Sequence, residues 1–593
     1  MTTRSTRSPR RRTVVALAVV LAVVVVFVVR LVDIQVVNAD EHVSDSLSMG
    51  IGVSRETYGT RGSIVDANGN TLAGSILQYD AQLDPKLVGP VERTGDDGEK
   101  QTVDWPTIAA EIGTITGQTA EEIQQIVADA VAENPDSRYA RLATGLSTEQ
   151  YRALAELKLP FLFQNPHPAR SYPDGAVAGN LVGFVGSDGE PLAGLELAEN
   201  ECLTATKGSV TYEQGVDGTI IPGTETETPA VDGGTVTLTV DRDLQWYMQQ
   251  LISEQTQNLG ALHGQIMVAD VATGEIKAAA EYPSVDPNDV DATAVEDRGS
   301  RIFRDRFEPG STFKGLSASI AIDTGTATPT TIVNAAGRES FADGVRVTDS
   351  MSHGDTPYTL TGVLIDSSNV GISKISVQIP SQTRYDYLTA FGIGQGSAVG
   401  FPGEQHGELR TPDQWDPQTT YNIAFGQGVS TTLPELVGAY QTIANDGVKV
   451  PLKLVESCTH ADGTVDATDA GAPTQVLKPE TATQVQQMLE NVLLQGSLAK
   501  SVAISGYRIA GKTGTGEIAE NGSYKQGVYF TTLIGFAPAD DPQYVVAVTL
   551  DQPTAVRSSS ANAPAFQKAM TQVLKTFRVT PSTSEAVLLP KTG

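Results

Sequence analysis

Three kinds of hydrophobic patterning follow one another along the chain. From Val14 to Val29 every residue is apolar, and the run resumes after Arg30 with Leu31 and Val32. Sixteen such residues rise about 24 Å as a helix, a little less than a hydrocarbon core of about 30 Å. Thr13 and the aliphatic stem of Arg30 make up the difference, which predicts a membrane-crossing helix over residues 13–34. A mixed region follows. Arg61 to Ala73 holds two short apolar runs around Asn68-Gly69, a hairpin signal. Pro90 to Trp105 is charged and glycine-bearing and reads as a loop. Thr119 with Glu122 and Ser147 with Gln150 form capping boxes, opening helices that run to about Glu133 and to just before Pro160. Tyr172-Pro173-Asp174-Gly175 reads as a turn, and the Gly-, Pro-, Thr- and Glu-rich stretch Glu213 to Gly234 as a domain boundary.

A third pattern begins at Thr235. Val236 to Val240 alternates as a strand does, and Leu244 to about Leu259 has helical periodicity. Gln265 to Ala269 and Glu275 to Tyr282 predict a hairpin across Ala272-Thr273-Gly274. Ser311 to about Gln495 reads as largely helical with long loops. Strand patterns return at Tyr507 to Thr515, Val528 to Phe536 and Tyr544 to Leu550, and a helix from Pro564 to Phe577 closes the body. Strands at both ends with helices inserted between them predict an α+β domain, an antiparallel sheet facing a helical lobe with a cleft between them.

Charge refines this plan. A net charge of −29 over 593 residues argues against nucleic acid as a partner. Positive charge is concentrated locally, in Arg4, Arg7, Arg10, Arg11 and Arg12 ahead of the apolar run, which places the N-terminus on the cytoplasmic side. The alternative is a cleaved signal peptide with Val37-Asn38-Ala39 as its processing site; the length of the run and the intervening Arg30 and Asp33 favour an uncleaved anchor. The expected order is a basic cytoplasmic tail (1–12), the transmembrane anchor (13–34), a mixed pedestal (40–234), a second body (235–578) and a flexible tail (579–593). Cys202 and Cys458 suit an exported chain, but spacing alone does not pair them. The six histidines are scattered without metal-binding spacing, which disfavours a zinc peptidase.

Candidate chemistry centres on Glu308-Pro309-Gly310-Ser311-Thr312-Phe313-Lys314. A Pro-Gly break before an apolar helix puts Ser311 in the first turn, at unpaired amides that favour negative charge. Lys314 then lies one turn on, on the same face. A hydroxyl beside an amine there is a candidate nucleophile. Ser-x-x-Lys alone carries little, since about one is expected by chance in a chain this long, and another runs from Ser497 to Lys500. Two further pieces are Ser367-Ser368-Asn369, in a helical segment beginning near Leu360, and Gly511-Lys512-Thr513-Gly514-Thr515, ending a strand. Each also has a copy elsewhere, at Ser560-Ala561-Asn562 and Lys591-Thr592-Gly593. Singly, each motif has a plain structural reading: a helix cap for Ser311, a solvated charge for Lys314, an ordinary strand end for Lys512 to Gly514. Order, spacing and flanks together single out the first set.

With these flanks the sequence resembles the penicillin-binding proteins, the serine D,D-transpeptidases that cross-link bacterial peptidoglycan, whose signatures are Ser-x-x-Lys, Ser-x-Asn and Lys-Thr-Gly in this order. Ala424-Phe425-Gly426-Gln427-Gly428 with Val429-Ser430 looks like another family segment. Arg61 to Ala73 and Arg170-Ser171-Tyr172-Pro173 to Gly186 resemble the class B pedestal, and no segment resembles a glycosyltransferase domain. The resemblance is loosest at Gly194 to Leu203, where Asn200 and Cys202 stand where the family often has an aromatic. Arg61 and the pedestal glycines read as structural.

The resemblance implies that Ser311 attacks the penultimate D-Ala carbonyl of a stem peptide and forms an acyl-enzyme, which an amine of a second stem resolves. Lys314 would be its base, made neutral by burial and by Lys512. Ser367 would pass a proton toward the leaving amine, and Asn369 would hold the substrate amide. Lys512, Thr513 and Thr515 would bind the terminal carboxylate, and the amides of Ser311 and Thr515 the oxyanion. Gly514 would let the substrate backbone lie along the strand edge. The resemblance implies no cofactor and no metal. Its implied ligands and partners are stem peptides on the lipid-linked precursor, β-lactam antibiotics, the membrane, and a glycan polymerase with other wall-synthesis proteins, leaning toward the division-type, FtsI-like branch. Two rivals stay open: a membrane-bound β-lactam sensor or β-lactamase of the same fold, and a non-catalytic scaffold of the wall-building complex. The large pedestal argues against the first and the intact motifs against the second.

Overall fold

The computed structural model describes residues 9–32, 51–94, 99–214, 219–520 and 523–593. Contacts divide the chain into two units, Met1–Gly59 with Ala205–Asp232, and Thr60–Thr204 with Gly233–Gly593. The first unit carries a helix from Pro9 to Val32, within which Thr13–Val32 forms 20 residues of mean hydropathy 3.2 with every apolar side chain exposed. That length rises about 30 Å, enough to cross a bilayer. The same unit holds an antiparallel sheet of Ile51–Thr57, Gly208–Gln214 and Thr226–Thr228. The last two residues of the expected anchor and the candidate cleavage site Val37-Asn38-Ala39 lie outside the described residues.

In the second unit, strands from both ends of the body meet in one sheet. They are β1 (His263–Asp270), β2 (Ile276–Tyr282), β3 (Ala510–Glu520), β4 (Ser523–Ala537) and β5 (Tyr544–Asp551). Their order is β2-β1-β5-β4-β3, antiparallel throughout, with Ile266 opposite Val548 and Lys512 opposite Ile534. β3 is therefore an edge strand. The helices that shape the site are α1 (Arg242–Leu259), α2 (Phe313–Asp323), α3 (Leu360–Ile365), α4 (Asn369–Ser376), α5 (Leu433–Ala444), α6 (Pro479–Gln495) and α7 (Ala563–Thr576). α1 and α7 pack on the sheet and on each other, α5 packs on β1, β4 and β5, and α6 lies against β3. Central β1 residues are buried without alternation, as a strand covered on both faces must be. α2 is buried along its whole length, every residue from Phe313 to Asp323. An element enclosed on all sides presents its polar side chains only to partners inside the protein.

Several expectations change in the structure. The presumed loop Pro90 to Trp105 is a hairpin, Val91–Thr94 with Lys100–Val103, followed by a helix from Trp105 to Thr116; Val91 and Val103 pack inward, Glu92 and Lys100 stay exposed, and the half-buried Arg93 pairs with Glu111 at 2.6 Å. Within the stretch expected to be helical, Ile332–Ala335 pairs with Thr356–Thr359 and Arg338–Ser340 with Arg346–Thr348. These ribbons are too short to show a period of two. The boundary expected at residue 234 is crossed by a sheet. Thr235–Leu238 runs parallel to Ile64–Val65 on one side and antiparallel to Val455–Thr459 on the other. One apolar core joins Ile64, Leu72, Leu195 and Leu203 to the body beyond. Residues 579–593, expected as a flexible tail, lie hydrogen-bonded along that body, with Ser582 on Gly506 and Asp540 and Leu589 on Asn491.

Cys202 and Cys458 form a disulfide, which ties a short helix of the expected pedestal to the Val455–Thr459 strand. Nearby, the fully buried Glu196 takes Arg61 Nε at 2.7 Å and Arg170 Nε at 2.6 Å. A buried carboxylate persists only with such partners. Arg61 also donates to Asn200 Oδ1 at 2.7 Å. Asn200 and Cys202, where the family resemblance is loosest, thus each hold a specific local contact.

Candidate active site

Ser311 sits in a 3-10 turn, Gly310–Thr312, that runs directly into α2. Two bonds pin the turn: Thr312 Oγ1 donates to the Pro309 carbonyl at 2.7 Å, and the Tyr440 hydroxyl of α5 donates to the Thr312 carbonyl at 2.7 Å. Gly310 has φ +54, and a Cβ there would lie 2.6 Å from the Thr515 carbonyl oxygen. Only glycine meets both demands. The Ala424 to Gly428 segment buttresses the same turn, since Gly310 N donates to the Gly426 carbonyl at 3.1 Å.

The helix expected to carry Ser367 is broken at that residue. α3 ends at Ile365, Ser367 adopts φ +59, and Ser368 caps the N-terminus of α4 by accepting from Gly371 N at 2.9 Å. A non-glycine residue in the left-handed region persists where its surroundings over-determine it. The surroundings here include Asp349, a residue the sequence did not single out. Its carboxylate accepts from Ser368 Oγ at 2.7 Å, Val370 N at 2.9 Å and His353 Nε2 at 2.9 Å, and the hydrogen bond to Asp349 raises the His353 pKa above its ordinary value. Asn369 Nδ2 donates to the Thr348 carbonyl at 2.9 Å. His353 lies only four residues from Asp349, but the partners that tie its carboxylate to the site, Ser368 and Val370, lie 19 and 21 residues away, beyond any local pattern.

β3 closes the site from the sheet side. A Cβ on Gly514 would come within 2.6 Å of the Pro309 carbonyl oxygen and 2.9 Å of Thr312 Cγ2, and one on Gly516 within 2.2 Å of the Glu308 carbonyl oxygen. Besides the clearance for a substrate backbone expected of Gly514, its missing side chain makes room for the turn that carries Ser311. Thr513 and Thr515 are partly exposed, and Lys512 Nζ lies 3.3 Å from the Thr513 carbonyl.

The three motifs converge at Ser367. Lys314 Nζ is 3.1 Å from Ser311 Oγ, 3.1 Å from Ser367 Oγ and 2.5 Å from the Ser367 carbonyl. Lys512 Nζ is 3.2 Å from the same Ser367 Oγ. Both lysines are buried, at 0% and 1% exposure, whereas Ser311, Ser367 and Asn369 are partly exposed. Burial, reinforced by Lys512, holds the Lys314 pKa well below the ordinary lysine value, against an opposing pull from Asp349. Burial brings Lys512 down to about 7. Two amines around one hydroxyl resist carrying two positive charges at once. The result is a reachable hydroxyl beside an amine that can accept its proton.

The copies of the motifs lie elsewhere. Ser497 and Lys500 are both exposed at a short helix. Asn562 is fully buried beneath the sheet, near Thr531, and Lys591 to Gly593 lie beside Tyr358 and Asp366. Among the described residues no group of His, Cys, Asp and Glu is placed to hold a metal ion.

Residues 264–571 match the family described as penicillin-binding protein transpeptidase domain, and residues 56–238 the penicillin-binding protein dimerisation domain. Over 94% of its length the chain is 34% identical to the penicillin-binding protein PbpB of Mycolicibacterium smegmatis, covering 89% of that protein. It is 28% identical to the peptidoglycan D,D-transpeptidase FtsI of Escherichia coli over 93% of this chain and 89% of that one. Among solved structures, a peptidoglycan synthetase from Bifidobacterium adolescentis superposes with a TM-score of 0.71 at 28% identity, over 92% of this chain and all of that one. Penicillin-binding protein 3 of Mycobacterium tuberculosis, solved with aztreonam, gives 0.68 at 29% identity, over 91% and 100%. With matches on both sides of residue 240 and relatives aligned nearly end to end, the chain belongs to the class B penicillin-binding proteins, the transpeptidase enzymes of peptidoglycan synthesis.

Proposed function

We propose that the enzyme works through a serine acyl-enzyme on Ser311 and serves septal wall synthesis. Ser311 Oγ attacks the penultimate D-Ala carbonyl of a stem peptide as its proton passes to neutral Lys314. The amides of Ser311 and Thr515 hold the oxyanion; losing one such donor typically costs about 100- to 1000-fold. The C–N bond to the terminal D-Ala then breaks, and Ser367 relays the proton from Lys314 to the leaving nitrogen. The amine of a second stem attacks the ester, forming the cross-link and returning the hydrogen to Ser311. Asn369 holds the substrate amide, and Lys512, Thr513 and Thr515 bind its terminal carboxylate. An arriving carboxylate favours the protonated form of Lys512, which leaves Lys314 as the neutral partner.

One observation carries this reading: the buried amine of Lys314 lies 3.1 Å from both Ser311 Oγ and Ser367 Oγ, and Ser367 Oγ is 3.2 Å from Lys512 Nζ. Acylation by β-lactams follows from the same geometry, and is supported by relatives solved with aztreonam and ampicillin. The Thr13–Val32 helix anchors the chain with its arginine tail in the cytoplasm and the rest outside. The resemblance to the division-type branch, together with a relative named peptidoglycan D,D-transpeptidase FtsI, supports a septal role beside a glycan polymerase. Labelling with a fluorescent penicillin tests the chemistry. Ser311→Ala abolishes labelling with an unchanged melting temperature, and label persisting on that variant would place the nucleophile elsewhere.

A further inference from the structure

The last residues of the chain approach the segment that ends in Ser367 from both of its ends. At the start of α3, Thr359 N donates to the Lys591 carbonyl at 3.1 Å, and Thr359 Oγ1 to the Pro590 carbonyl at 2.6 Å. Tyr358 pairs with Thr592 in an antiparallel bridge, and Gly593 N donates to the Pro357 carbonyl at 3.0 Å. The tail thus pairs by main-chain hydrogen bonds with the Thr356–Thr359 strand of the ribbon it forms with Ile332–Ala335, a short form of the recognition used in strand addition. At the far end of α3, Lys591 Nζ pairs with Asp366 Oδ1 at 2.7 Å, while the Tyr358 hydroxyl donates to Asp366 Oδ2 at 2.9 Å. Asp366 directly precedes Ser367.

Two features of the body are explained by the tail. Asn491 of α6 is fully buried, yet its amide donates to the Val587 carbonyl at 2.9 Å and accepts from Leu589 N at 3.0 Å. Without the tail those groups would lose these partners. Gly362, in α3, faces the tail so closely that a Cβ there would lie 1.8 Å from the Lys591 carbonyl oxygen. A helix interior otherwise prefers alanine to glycine.

We propose that residues 587–593 form a strap in cis that positions Ser367, with Lys591 and Asp366 as its positioning residues. The inference rests on the role given to Ser367 above. The strap grips both ends of α3, so the left-handed turn at Ser367 stays aimed at Lys314 and Lys512. A displacement of about 1 Å in such a group costs up to about 100-fold in rate.

Three variants of the full chain test this: Gly362→Ala, Lys591→Glu, and the exchanged pair Asp366→Lys with Lys591→Asp. Gly362→Ala is the sharpest of them, since alanine favours the helix while its methyl expels the tail. Stopped-flow acylation by a fluorescent penicillin separates the limiting acylation rate from affinity for the initial complex. Gly362→Ala and Lys591→Glu each lower the limiting rate about ten-fold, with affinity unchanged and thermal unfolding still cooperative. The exchanged pair recovers most of that loss, as coupled residues do. Native limiting rates in both single variants overturn the strap, as does an exchanged pair no faster than Lys591→Glu alone. Ser367→Ala, run alongside, separates the two readings. If it is slow while Gly362→Ala and Lys591→Glu are both native, the strap is discarded and Ser367 keeps its role. If it is native while Lys591→Glu is slow, the hydroxyl loses its role and the strap stands, acting through the Ser367 carbonyl that Lys314 bonds.

Discussion

Ser311-Lys314 and Ser497-Lys500 share a spacing and a position at the start of a helix, and nothing else. The first pair is enclosed: Lys314 is fully buried, its amine faces two hydroxyls, and Lys512 stands beyond one of them. The second pair is exposed, on a one-turn helix. Water leaves an amine protonated and surrounds a hydroxyl without activating it; burial reverses the first and a neighbouring base the second. The difference teaches that a four-residue motif supplies geometry, whereas its surroundings supply reactivity.

The comparison breaks most sharply at the lysines. Lys314→Ala lowers the acylation rate at least about a thousand-fold, within the range general-base catalysis supplies, while Lys500→Ala is indistinguishable from the native chain. Equal effects in the two variants would remove the distinction between the sites. Acidity probes the same contrast. Lys314 accepts a proton only while neutral, and its pKa lies well below the ordinary lysine value. Acylation therefore falls as pH drops through that lowered pKa, and a rate that does not fall on acidification while the protein stays folded would exclude Lys314 as the base.

Gly514→Ala pushes β3 off the Ser311 turn, because the new methyl meets the Pro309 carbonyl oxygen at 2.6 Å. The expected loss is about ten- to a hundred-fold in acylation rate. A native rate would show that the turn does not need the space Gly514 leaves. Asp349→Ala frees the Ser367 turn, slowing acylation several-fold and lowering stability by about 2 kcal/mol, as expected when hydrogen bonds to a charged group are lost. A native melting temperature would show that the turn needs no carboxylate.

The remaining expected change in stability is smaller and has the opposite sign. Lys512 is buried with its pKa brought down from the ordinary value to about 7. Between about pH 7 and the ordinary lysine range the unfolded chain binds more protons there than the folded one, so this group makes stability rise with pH across that window. Below it, the cost of a buried charge remains. Lys512→Met removes that cost, so at pH 7 it abolishes labelling while raising the melting temperature by a few degrees. A fall in melting temperature would mean that Lys512 is satisfied as a cation.

Much of this was legible in the chain before any coordinates. Strands β1, β2, β4 and β5 and helices α1 and α7 follow from periodicity within a few residues, and both capping boxes form where the sequence places them. Local rules suffice for such elements because their partners are neighbours or an undifferentiated core. The order of the motifs likewise pointed to Ser311, Ser367 and Lys512 together. Local rules failed where a distant partner decides the conformation. Ser367 breaks its helix where Asp349 holds the two residues Ser368 and Val370 beyond it and two lysines face its hydroxyl, and Thr235–Leu238 joins a sheet in which its neighbouring strands come from residues 64–65 and 455–459. Cys202 meets Cys458 across 256 residues, a separation no spacing rule can read.

The sequence by itself determined which residues are available for chemistry, which stretch is long and apolar enough to cross a membrane and which stretches become strands or helices, since composition and periodicity act over a few residues. Tertiary structure alone decided that two lysines lose their water around one serine, that a glycine clears space for the turn carrying that site, and that the tail lies against α3. Those outcomes depend on burial and close approach between segments hundreds of residues apart, quantities that come into being only when the chain is packed.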